Sequence, residues 1–76
     1  MSIETVDVPI RVGLAYKLTY TNHAGLLKTY RVELLNIRYG TSKYYPTPRV
    51  LLEMHDIDRH VERSFDPQKI HSLVTL

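Results

Sequence analysis

Apolar and polar residues alternate along most of this chain with the period of two that a half-buried strand requires. Val6, Val8, Ile10 and Val12 share one parity and Asp7 and Arg11 the other, which predicts a first strand over Ile3–Val12. Pro9 falls on the outward parity. A residue with no N–H confines that strand to a sheet edge or bends it. In Leu14–Thr21, Tyr16, Leu18 and Tyr20 alternate with Lys17, Thr19 and Thr21, a second strand. Thr21-Asn22-His23-Ala24-Gly25 carries the Asn and Gly of a hairpin turn. A third strand follows over Leu26–Leu34, with Lys28, Tyr30, Val32 and Leu34 on one face.

The phase then slips, since Leu34 and Leu35 are adjacent and Leu35, Ile37 and Tyr39 continue on the opposite parity. Either one extra residue bulges or bends the strand, or the leucine pair is buried on both faces. Gly40–Pro48 is an irregular loop with two prolines. Val50–Phe65 predicts a hairpin whose turn is Asp56-Ile57-Asp58-Arg59-His60. Asp66-Pro67 then supplies an N-cap and a proline at the first helical position, a short helical turn near residues 66–70. His71–Leu76 offers a last strand able to pair with the first. The sum is an all-β fold: a small, strongly bent, five- to six-stranded antiparallel barrel of the Src-homology-3-like or Sm-like kind, one domain over residues 1–76.

Composition narrows the chemistry. At 76 residues the chain buries roughly 60% of its unfolded surface, so its core is thin. It has no cysteine, hence no disulfide or thiolate. No apolar run approaches the ~18 residues of a membrane span. The first five residues include Glu4 and form no apolar h-region, so the expected compartment is the cytoplasm. A net charge of +2 permits a polyanion partner without requiring one.

There is no glycine-rich phosphate loop and no nucleophile elbow. Asp56 and Asp58 read as solvated turn carboxylates, with no desolvation to shift a pKa. No enzymatic activity is expected. His55, Asp56, Asp58 and His60 lie within six residues, but their spacing fits no standard metal loop, and no metal or cofactor is expected. Nucleic acid fits better, because small barrels stack single-stranded bases on aromatics beside a positive groove. Tyr44 and Tyr45 follow Lys43, with Arg38 and Arg49 at the ends of the loop. Of the two tyrosines, one is expected to pack and the other to be exposed, whereas Tyr16, Tyr20 and Tyr30 share the parity of the core. An exposed edge strand, pairing with another protein or a second copy, is the competing reading.

The segment Tyr16–Leu73 resembles the WYL domain of bacterial transcriptional regulators and of accessory proteins of phage-defence systems. Leu18-Thr19-Tyr20 looks like the family's first strand, Gly25 its turn and Arg31-Val32-Glu33-Leu34 its second strand. Arg63-Ser64-Phe65 looks like its R-x-F, and Lys69-Ile70 its closing basic–apolar pair. Val50 and Leu51 stand where the family's Trp and Tyr would, and Pro67 interrupts its final strand. The resemblance implies a ligand-sensing barrel that binds a nucleotide or single-stranded nucleic acid through Arg31, Arg49 and Arg63, Arg63 the most specific. Combined with the loop, the candidate ligand-binding set is Arg31, Arg38, Lys43, Tyr44, Arg49 and Arg63.

Overall fold

The period-two segments pair as β1 (Ala15–Thr21), β2 (Leu27–Gly40), β3 (Arg49–Asp56), β4 (Val61–Phe65) and β5 (Ile70–Thr75). This is a computed structural model, and it describes residues 10–76. All five strands are antiparallel members of one sheet, in the order β4-β3-β2-β1-β5. Apart from the 3-10 turn Pro67–Lys69, the described residues contain no helix.

The slip at Leu34-Leu35 is a β-bulge. Leu34 pairs with Met54 and Asn36 with Glu53, leaving Leu35 as the extra residue. β2 is the longest strand, and the bulge divides its labour. Leu27–Glu33 pairs with β1, whereas Val32–Gly40 pairs with β3, so the two halves overlap only at Val32 and Glu33. An extra residue increases local twist and bends a strand.

The link between β4 and β5 forces the same curl. Five strands in a flat sheet would hold the outer two about 19 Å apart. Here the outer two are β4 and β5, joined only by Asp66–Lys69. Coiled at ~2 Å rise per residue, such a link spans about half that width. The Asp66 side chain accepts from the Gln68 N–H, and Pro67 takes the first helical position, as the sequence predicts. β4 and β5 do not pair with each other.

The curled face holds the core. It consists of Tyr16, Leu18 and Tyr20 from β1, Tyr30, Val32 and Leu34 from β2, Leu52 and Met54 from β3, Phe65 from β4, and Ile70 and Leu73 from β5. Phe65 meets Tyr20 and Tyr30 edge-on, with ring centroids 4.8 and 5.4 Å away.

Two expectations need correction. Ile10–Val12 is not a strand, because the chain turns at Val12-Gly13 with Gly13 at φ 93°, and the Gly13 N–H donates to the Leu34 carbonyl. The rest of the predicted first strand, including Pro9, lies outside the described residues. Among the described residues the last strand pairs with Ala15–Thr21. The second correction concerns Asp56, which is fully buried. Leu52, Met54 and Asp56 share a parity, so the core face of β3 ends in a carboxylate opposite Val32. Asp58, two residues on, is exposed.

Candidate functional site

Three segments meet over the Tyr20 end of the core: the β1–β2 hairpin, the Gly40–Pro48 loop, and β4 with the turn before it. Between them lies an open cleft of about 520 Å3. The hairpin is shaped by Asn22, whose side-chain oxygen accepts from the Ala24 and Leu26 N–H groups, with Gly25 at φ 80°. It contributes His23 and Lys28 to the cleft. The loop contributes Lys43, Tyr44 and Tyr45. Tyr45 is buried and Tyr44 is half exposed, the division expected of the pair.

The floor is aromatic and closed by hydrogen bonds. The Tyr20 and Tyr45 hydroxyls share a bond of 2.7 Å, and the Asp66 N–H donates to the Tyr20 hydroxyl at 2.7 Å. Burial, reinforced by the bond to Tyr45, pushes the Tyr20 phenol far above its ordinary range, so it stays neutral. Above this floor the His23 ring stacks on Tyr44, with centroids 3.8 Å apart and planes 12° from parallel. The Lys43 ammonium lies 5.5 Å from the Tyr44 centroid.

One wall is cationic. Arg59 and Arg63 each place a guanidinium carbon 5.6 Å from the Tyr30 ring centroid. Both donate to one oxygen of Asp56, at 3.3 and 2.9 Å. The other Asp56 oxygen accepts from the Asp58 and Arg59 backbone N–H groups. Burial alone would push this carboxyl up. The Arg63 hydrogen bond, the Arg59 backbone N–H and the two guanidinium charges outweigh it and hold the group below its ordinary range. Lys28 and Lys43 add two ammonium groups that have no carboxylate partner among the described residues. Glu62 is the acidic member of the lining.

The six residues expected from sequence divide evenly. Lys43, Tyr44 and Arg63 line the cleft. Arg31 is engaged by Asp58, and Arg38 by Glu53. Arg49 pairs with Asp66 at 2.7 Å and covers the other side of Tyr45, 5.0 Å from its centroid. None of these three lines the cleft. Lys28, His23 and Arg59 do line it and were missed. For Lys28 the signal is present, since it shares the parity of Tyr30, Val32 and Leu34. For Arg59 the signal is its place three residues after a carboxylate that ends the core stripe of β3.

No helix among the described residues is long and apolar enough to cross a membrane. Nor do three or more His, Asp or Glu side chains come together there as metal ligands. In comparisons with protein-family models, curated proteins and solved structures, nothing matches this chain.

Proposed function

We propose that this protein is a non-enzymatic, WYL-like regulatory or accessory domain with barrel-like curvature. Its cleft binds a nucleotide or a single strand of nucleic acid. The observation that carries the reading is the coincidence, in one open cleft, of a half-exposed stacked ring pair, His23–Tyr44, with Lys28, Lys43, Arg59 and Arg63. Bases stack on aromatic faces without regard to sequence, while ammonium and guanidinium groups take the backbone. The Asp56 carboxylate does not suit catalysis, because its oxygens are already occupied by four donors.

The test is fluorescence anisotropy with a short labelled oligothymidine at increasing salt. Counterion release gives a log–log slope of about −0.7 per phosphate neutralised on a single strand. Tyr44→Ala and Lys43→Ala each weaken binding, whereas Arg31→Ala, on the outer face, leaves it unchanged. Binding that ignores Tyr44, or salt, removes this reading. The second reading is strand addition to another protein or a second copy. It is favoured by β4 and β5, each with a single neighbour in the sheet among the described residues and each bearing a half-exposed valine, Val61 and Val74. That mode responds little to salt and leaves a dimer or complex in sedimentation.

A further inference from the structure

We propose that Arg59 and Arg63, held as a pair by the buried carboxylate of Asp56, form the seat for a phosphate group in this cleft. The proposal rests on the nucleic-acid reading above and names the chemistry that this wall recognises. Three observations carry it.

The first is stoichiometry. Two guanidinium groups share one carboxylate oxygen, so one positive charge is left uncompensated at the wall. The other ion pairs among the described residues match one cation to one anion, as Arg31–Asp58, Arg38–Glu53 and Arg49–Asp66 do.

The second is donor geometry. Arg63 gives Asp56 only its Nε–H, and Arg59 gives it only Nη1. Both terminal nitrogens of Arg63, and the Nε and Nη2 of Arg59, have no acceptor among the described residues. The two side chains are 51% and 38% exposed, so these donors are reachable. Planar guanidinium forks match the tetrahedral oxygens of phosphate better than a point-charge ammonium does.

The third is pre-organisation. Asp56 is wholly buried and its two oxygens take four donors, so an arriving anion meets N–H groups and not the carboxylate. Both guanidiniums also lie over the Tyr30 ring. Asp56 is thus a positioning residue and the two arginines are the binding groups. Because Glu62 also lines the cleft, overall charge alone does not select an anion. The fork does.

Phosphate reaches such a seat either as the terminal group of a mononucleotide or as a backbone diester of a strand. Nuclear magnetic resonance of the arginine side chains separates the two. The probes are inorganic phosphate, thymidine, thymidine 5′-monophosphate, and oligothymidine without terminal phosphates. Thymidine monophosphate and inorganic phosphate are expected to move the Arg59 and Arg63 resonances if the seat takes a terminal group. The oligomer moves them if it takes a backbone group, and thymidine alone moves neither. Arg59→Gln lowers affinity for the phosphate-bearing probe at least about tenfold, and Arg59→Lys fails to restore it. The unmodified protein supplies the shift data, so the outcome does not depend on whether an Arg63 variant folds. Thymidine binding as tightly as every phosphate-bearing probe, or phosphate-bearing probes that all leave both arginines unmoved, overturns the seat. Oligothymidine bound in the cleft with unmoved arginines removes the seat and spares the cleft reading. Phosphate shifts with no nucleotide or strand binding do the reverse.

Discussion

The arginines of the cleft wall and those of the outer face of the sheet are the same chemical group in opposite situations. On the outer face, Arg31 meets Asp58 and Arg38 meets Glu53, one cation to one carboxylate, in exposed or half-exposed settings. The Arg31 guanidinium, through its hydrogen bonds, lowers the Asp58 carboxyl, and Arg38 does the same to Glu53. In the cleft, two guanidiniums depend on one carboxylate that water does not reach. For the arginines on strands, parity decides the face, whereas Arg59 reaches the cleft from the β3–β4 turn. Arg63 pairs with Met54 across the sheet and so shares the core parity, while Arg31 lies between Tyr30 and Val32 and faces out.

Removing each carboxylate in turn tests whether the two faces differ in this way. Asp56→Ala strips the β3–β4 turn of two backbone hydrogen bonds and leaves two guanidiniums without their shared partner. The expected loss is about 2–4 kcal/mol in urea unfolding. Asp58→Ala, at a solvated pair, leaves the urea midpoint essentially where it was. Equal losses would abolish the distinction between the faces. Next in size is Tyr20→Phe, which removes the acceptor of the Asp66 N–H and the partner of Tyr45 beneath the cleft, at about 1–2 kcal/mol. A neutral result there would mean water replaces both bonds.

Acid titration sharpens the contrast further. The folded Asp56 carboxyl sits below its ordinary value of 3.8. The unfolded chain therefore binds its proton first as pH falls. Its contribution is complete above about pH 5 and is lost as pH drops through 3.8 toward the lower folded value. Asp56→Asn is expected to flatten the stability curve over that range, as read by urea midpoints at successive pH values. An unchanged slope would assign acid sensitivity to Glu53 and Asp58 instead. The smallest effect is expected from Arg38→Ala. It deletes an outer-face pair and should leave oligothymidine affinity within error in the anisotropy assay.

Much of the fold was legible because its devices are local. Two adjacent leucines marked a slip in phase, open between a bulge and burial on both faces, which the structure resolves as a bulge. Asp66-Pro67 marked the cap of the 3-10 turn, and parity placed Tyr16, Tyr20 and Tyr30 in the core. What was not legible depended on register. That Glu53 lies within reach of Arg38 follows from the offset introduced by Leu35, and that Asp66 reaches Arg49 follows from the β3–β4 register, in which Leu52 faces Phe65. Neither spacing appears along the chain. Asp56 was misread for a different reason. Its neighbours Ile57-Asp58-Arg59 have turn composition, yet Asp56 itself belongs to the stripe of Leu52 and Met54. Where turn chemistry and strand parity overlap at one residue, parity decided burial.

The four-residue link between the outer strands also bears on how the molecule forms. β1 takes β2 as one neighbour from nearby in the chain and β5 as the other from its far end, Tyr16 meeting Thr75. The β1–β2, β2–β3 and β3–β4 pairings join neighbours in sequence, whereas the β1–β5 pairing joins the first and last described strands and leaves one edge of β1 unpaired until the last strand docks. Such long-range closure places folding in the millisecond-to-second range of β topologies. During that interval the β1 edge that β5 will take offers its backbone N–H and C=O groups to another chain.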